Sequence, residues 1–247
     1  MTVLFHVKAL PALVVAIALA LVARALGSVT DAGAMAGILV AFILMMACGF
    51  SGFIPLVVLF LLTVISTRWG RARKQRLGVA EHRRGRTASQ VLANLSAASL
   101  CVLPVFWFSE LNELLFVAAM AALAEAAADT VSSEVGQATA RGAYMITDFR
   151  DVPIGTNGAI SVEGTLSGCV AASIISWVSA SSGLIDWRWT PLIAFAGIGG
   201  MFVDSLMGAT WETAGKLGND SVNFVSTIFA ADLALVAGMI MQRLGVA

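Results

Sequence analysis

Eight apolar stretches leave this chain little choice of fold. They run near residues 9–26, 31–49, 51–67, 89–108, 111–128, 158–180, 190–209 and 222–242. Most approach the ~20 residues a helix needs to cross a bilayer. They are rich in Ala and Leu and lack the period-two alternation of a strand. The fold class expected is therefore all-α, a polytopic integral membrane protein with about seven to eight transmembrane helices. The third stretch is the shortest and can join the second as a bent hairpin around Gly49, Gly52 and Pro55. Only 12% of residues are charged and mean hydropathy is +0.89, so residues 1–247 read as a single transmembrane domain with no soluble appendage.

Carboxylates and carboxamides beside or inside these stretches do not suit an inert bundle. Asp129, Glu134, Asp204, Asn219 and Asn223 are the main ones. A charged side chain at the centre of a bilayer costs at least ~2.5–3.5 kcal/mol, so such groups usually face a cavity and act there.

Net charge is zero, but eight of the 15 Lys and Arg residues lie between Arg68 and Arg86. In a membrane chain such a run marks a cytoplasmic loop, and no nucleic-acid partner is expected. With the basic loop 68–88 in the cytoplasm, the Gly- and acid-rich loop 129–157 and the connector 210–221 face the same side. All the polar motifs then gather on one side of the membrane, the arrangement of an enzyme using a cytosolic reagent at a bacterial inner (plasma) membrane. The three cysteines, Cys48, Cys101 and Cys169, lie in separate apolar segments and read as small buried hydrophobes. His6 and His82 have no second His at ligand spacing. The N-terminus reads as a first membrane helix rather than a cleaved signal.

Four segments carry chemistry. In AEAAADTVSSEVG (124–136), Glu125 and Asp129 share a helix face. Glu134 is rotated ~140° from Asp129 on an ideal helix, so both reach one site only if the helix ends or bends, for which Gly136 is well placed. Carboxylates at a helix end suit Mg²⁺, which takes one or two of them plus substrate phosphate and water. In MITDFRDVPIGTNGAISVEGTLSG (145–168), Pro153, Gly155, Asn157 and Gly158 form a turn ahead of an apolar helix, an arrangement like a phosphate cradle. Gly164 and Gly168 suit close helix packing. In GIGGMFVDSLMGATWE (197–212), Gly200, Asp204 and Gly208 share a stripe. In GNDSVNFVST (218–227), Asp220 or Ser221 is placed to cap the last helix, and Asn219, Asn223 and Thr227 form a polar stripe.

Taken together, GRTASQVLAN (85–94), DTVSSEVG (129–136), the 145–168 segment, VDSLMGAT (203–210) and NDSVNF (219–224) resemble, in order, the family catalogued as domain of unknown function 92. That family includes plant phytyl-phosphate kinase and looks related to membrane CTP-dependent transferases. The resemblance carries Arg86, Gln90 and Asn94 onto its basic-loop motif. It carries Asp129, Thr130, Ser133 and Glu134 onto the acidic motif, Thr156, Asn157 and Gly158 onto the turn, and Asp204, Asn219 and Asn223 onto the last two motifs. Gly218 stands where the family often has Asp, and Glu125 and Glu163 fall outside the motifs.

The activity this implies is nucleotide-dependent, CTP-linked phosphorylation of an isoprenoid (phytyl- or geranylgeranyl-type) monophosphate to its diphosphate, assisted by Mg²⁺. Asp129, Glu134 and Asp204 are expected to be catalytic and to hold the metal. Lys74, Arg86 and Arg150 are expected to bind phosphates, together with Gln90, Asn94, Thr156, Asn157, Gly158, Asn219 and Asn223. The partners are then the isoprenoid phosphate, a nucleoside triphosphate and membrane lipids, with a homodimer allowed. Two alternatives stay open: a cytidylyltransferase making a CDP-activated lipid, and a secondary transporter with carboxylates at mid-membrane.

Overall fold

The computed structural model describes the backbone of residues 2–80, 85–108 and 112–245. Within the basic run, Glu81, His82, Arg83 and Arg84 lie outside the described residues. The elements in chain order are α1 (Thr2–Ala25), α2 (Asp31–Arg68), α3 (Arg71–Leu77), α4 (Ala88–Val102) and α5 (Asn112–Thr139). Three short strands follow, β1 (Ala143–Met145), β2 (Asp151–Val152) and β3 (Ala159–Ile160). The chain ends with α6 (Val162–Ser181), α7 (Thr190–Met207) and α8 (Asn219–Arg243). Helix α4 runs on through a 3₁₀ turn, Leu103–Phe106, and α7 through a π turn, Gly208–Glu212.

Among the described residues six helical segments are long and apolar enough to cross a membrane, and α1 adds a shorter apolar run, Ala9–Ala25. One of the six, α2, is a hairpin. A straight 38-residue helix would hold its ends ~57 Å apart, yet Arg68 Nη2 donates to Leu26 O at 2.8 Å. Gly49 makes the reversal with φ 64° and ψ −160°, a conformation closed to most L-residues. The hairpin expected around Gly49 is present, and Pro55 sits buried inside the returning arm.

Helix α5 is the axis. Helices α2, α4, α6, α7 and α8 all pack on it, and α1 lies outside against α2. This close ring depends on small side chains. Ala118, Ala119, Ala121, Ala122, Ala124 and Ala126–Ala128 are all buried on α5. A Cβ built on Gly164 or Gly168 of α6 would come within 2.6 Å of Ser132 O or 2.9 Å of Ala128 O on α5, and one on Gly197 of α7 within 2.8 Å of Ala124. Interfaces of small residues are how membrane helices gain packing when burial of apolar surface brings no advantage over lipid. Large apolar side chains point outward instead, among them Leu166, Val170, Phe195 and Val236.

The connectors sort onto two ends. At one end, Ser51 Oγ donates to Ser182 O and Ser182 Oγ to Ser51 O. At the other, Thr30 N donates to Arg86 O, Arg73 donates to Ala138 O, and Gly158 presses on Ala209. Exposed tryptophans occur near both ends, Trp69 and Trp211 at the second and Trp107 and Trp187 at the first, as in an interfacial belt.

Two expectations are corrected. Residues 129–139 are not loop: α5 runs straight through Gly136 to Thr139. The connector beyond it carries a small antiparallel sheet of order β2-β1-β3, where only turns were expected.

Candidate functional site

A cleft of about 180 Å³ opens at the connector-rich end between α5, α6 and α7. From α5 it is lined by Asp129, Ser132, Ser133, Gly136 and Gln137, and from α7 and its π turn by Asp204, Ser205, Gly208 and Glu212. The turn 154–158, Ser161, Gly164 and Thr165 supply a third wall, and Asn219 of α8 a fourth. Four segments remote in sequence therefore meet here.

The turn is held by its glycines. Gly155 and Gly158 have φ of 89° and 74°. A Cβ on Gly158 would lie 2.2 Å from Ala209 N, so glycine alone lets this turn dock on the end of α7. Thr156 N and Thr156 Oγ1 both donate to Pro153 O, and Ala159 N to Thr156 O, closing the loop on itself. β3 intervenes before α6, whose N-cap Ser161 accepts from Gly164 N. The first turn of a 20-residue helix thus faces the cleft, and helix N-termini attract anions.

Asp129 stands close enough for its charge to act on Asp204, and Arg86 acts on Asp129. Ser226 Oγ donates to Asp204 Oδ2 at 3.2 Å and to Asn223 O, which ties α8 to the acid. Below them Glu125 is buried, with Oε1 lacking a hydrogen-bond partner. Among the described residues no three His, Cys, Asp or Glu side chains are grouped to hold a metal ion. The donor set still fits Mg²⁺, which is bound through one or two carboxylates with the remaining positions left to phosphate and water. Asp129 and Asp204 are the pair that would serve.

Glu134 does not join them. Because α5 neither ends nor bends at Gly136, Glu134 points to the opposite side and pairs with Lys74. Lys74 is 1% exposed and also donates to Ser66 O and Thr67 O, while Thr67 Oγ1 donates to Glu134 Oε1. All three ammonium hydrogens of Lys74 have partners. Neither residue lines the cleft, so the expected metal role of Glu134 and phosphate role of Lys74 are replaced by a buried tie between α2, α3 and α5. Arg150 also lies away from it, exposed on the β1–β2 turn beside Asp148. Gln90 has a structural duty: its Oε1 accepts from Thr87 N in a capping box that starts α4. Asn94 Nδ2 donates to Gln90 O. Arg86, Gln90, Asn94 and Thr130 face a second hollow on a neighbouring face of α5. Asn223 sits one turn beyond Asn219, beside Ser226. The last helix starts from Gly218 with no side-chain cap, so Asp220 and Ser221 fall in its first turn.

Glu212, Gln137 and Ser161 line the cleft without having been singled out. Glu212 owes its place to the π turn, in which Thr213 N donates to Gly208 O; single π turns are frequent at functional sites.

Comparison with known proteins agrees with the membrane fold. The family profile described as integral membrane protein DUF92 matches residues 14–231. The chain is 32% identical over 192 residues to an uncharacterized membrane protein of Synechocystis, covering 76% of this chain and 74% of that one. It is 32% identical over 211 residues to an uncharacterized membrane protein of Methanocaldococcus jannaschii, covering 85% and 86%. With Protein VTE6, chloroplastic, of Arabidopsis thaliana it shares 31% identity over 207 residues, 80% of this chain but 60% of that protein's length. No solved structure matches. The chain belongs to the DUF92 family of integral membrane proteins.

Proposed function

We propose that this protein is a membrane-embedded phosphotransferase that extends an isoprenoid monophosphate to its diphosphate at the expense of a nucleoside triphosphate, with CTP the donor the family resemblance implies. The observation that carries the reading is the meeting of Asp129 and Asp204 with the 154–158 turn and the N-terminus of α6 in one cleft at the end of the bundle. That combination suits a polyphosphate: amides and a helix end for its oxygens, carboxylates for its cation. The 154–158 connector in its wall, at the end of the bundle, also favours an enzyme over a transporter, whose site belongs at mid-membrane.

In the reaction an oxygen of the acceptor phosphate attacks the terminal phosphorus of the donor. The new P–O bond forms as the bond to the bridging oxygen breaks, and the nucleoside diphosphate leaves with that electron pair. Such transfer asks for alignment and charge neutralisation more than for covalent chemistry. Arg86 supplies positive charge beside Asp129. The glycine-held turn and Ser161 fix the donor phosphates. No general base is required, because the acceptor phosphate is already anionic. Mg²⁺, when bound, would offset the charge developing on the transferred group. The basic run favours a cytoplasmic position for this end of the bundle.

The test is an assay of purified protein with Mg²⁺, labelled CTP or ATP, and phytyl or geranylgeranyl monophosphate, with products separated by thin-layer chromatography. A prenyl diphosphate together with a nucleoside diphosphate is expected. Nucleotide label in the lipid would make the protein a cytidylyltransferase, and no turnover by folded protein would overturn the enzyme reading.

A further inference from the structure

The hollow on the neighbouring face of α5 has the chemistry of a lipid phosphate. An apolar groove of about 100 Å³ runs between α1, α2 and α4, floored by Ala16, Ala20, Gly33, Gly37, Leu59 and Val91. At its connector end it shares Ser28, Thr63 and Arg86 with a polar pocket of about 150 Å³ that also holds Arg68 and Arg71. Grease therefore leads directly into three guanidinium groups. Thr63 marks the junction: it is 9% exposed, lines both hollows, and its hydroxyl has no hydrogen-bond partner. A buried hydroxyl without a partner is costly, and one at the edge of a basic pocket is positioned to donate to a bound anion.

We infer that the acceptor lipid binds here, its phosphate among Arg68, Arg71, Arg86 and Thr63 and the start of its chain in the α1–α2–α4 groove, on the face of α5 next to the donor cleft. This rests on the isoprenoid phosphate reading above and adds the place and direction of acceptor entry. Charge complementarity selects an anionic headgroup, and the groove selects a chain attached to it. Arg86 belongs to this pocket and also acts on Asp129, so the two half-sites meet at that end of α5. Thr130 of the groove follows Asp129 of the cleft on α5, so acceptor and donor come in on neighbouring faces of one helix and their phosphates can meet at its end, as in-line transfer requires. The volume is smaller than the ~150 Å³ cavity that takes a benzene ring, so only the headgroup-proximal part of a chain is enclosed and the rest lies in lipid. Recognition should accordingly tolerate different chain lengths.

Gly37 allows a clean test, because a Cβ there meets nothing within 4 Å, whereas one on Gly33 would strike Arg86 O at 2.4 Å. Gly37→Leu fills the groove without displacing protein and replaces glycine within a helix. Binding of labelled geranylgeranyl monophosphate to purified protein is measured alongside the KM values for lipid and nucleotide. The expected result is a loss of lipid affinity of ~10-fold or more, with a matching rise in lipid KM and none in nucleotide KM. Thr63→Val should weaken lipid binding in the same assay without lowering the melting temperature. Wild-type lipid affinity in both variants would overturn the inference even if kinase activity is present. Binding lost in Gly37→Leu from a protein that transfers no phosphate would uphold the groove and remove the kinase reading. Equal displacement of the label by phosphatidylcholine would make the occupant bulk lipid and overturn the assignment.

Discussion

Lys74 and Glu134, sixty residues apart, form an ion pair inside the protein, and the lysine is 1% exposed. The pair fastens the basic segment to the central helix beside the connector-rich end. Its partners Ser66 O, Thr67 O and Thr67 Oγ1 satisfy most of what two buried charges need.

Removing one member should therefore cost far more than removing both. Lys74→Met leaves a buried carboxylate and is expected to destabilise by about 3–5 kcal/mol, whereas Lys74→Met with Glu134→Leu should recover most of that loss. Unfolding in detergent by heat or denaturant measures the difference. A double variant no more stable than the single one would show that Glu134 is not held by Lys74.

Asp129→Asn separates the cleft acid from this structural pair. The substitution preserves shape and leaves the packing of α5 unchanged, so the melting temperature should stay near that of wild type. Turnover of isoprenoid phosphate should fall by about two orders of magnitude or more, the scale seen when a transition-state charge contact is lost. Near-wild-type kcat would remove Asp129 from the reacting centre.

Much of this was legible in the sequence because hydropathy reports directly on what faces lipid. The spans, the reversal at Gly49 and the gathering of motifs at one end all follow from that signal. The position of Glu134 was not, because Gly136 gives two signals at once. By propensity it looks like a helix stop, but here it stays helical and its missing side chain admits Ser161 Oγ, 2.8 Å from where a Cβ would stand. With the helix unbroken, Glu134 is carried ~140° from Asp129. Its lysine partner lies on another helix, where no local pattern points to it. Glu212 was hidden for a related reason: the π turn that places it in the cleft is not a feature of hydropathy. The strands of β1–β3 are two or three residues long, too short for any alternation to show.

Gly158 should be as sensitive as any charged residue. Its φ of 74° is unfavourable for alanine, and the added Cβ would overlap Ala209 N. Gly158→Ala is expected to cost about 1–3 kcal/mol of local strain, released by lifting the turn off α7. Donor KM should rise while lipid binding is kept, because the turn lines only the donor cleft. Loss of lipid binding with unchanged donor KM would contradict the division of the two half-sites.

Glu125 predicts the opposite sign. It lies beneath Asp129 and Asp204, 1% exposed, with Oε1 unpartnered and the charges of both acting on it. Gln has the same shape, is neutral at every pH and always offers two N–H donors. Glu125→Gln is therefore expected to raise stability by about 1–3 kcal/mol, the scale of an unsatisfied buried polar group. Melting curves with and without Mg²⁺ decide what the carboxylate is for. A rise in melting temperature in both conditions identifies Glu125 as an unsatisfied buried carboxyl held at a cost to stability. A fall seen only with Mg²⁺ would instead make it a third oxygen donor to the cation, drawn up from below the pair that lines the cleft.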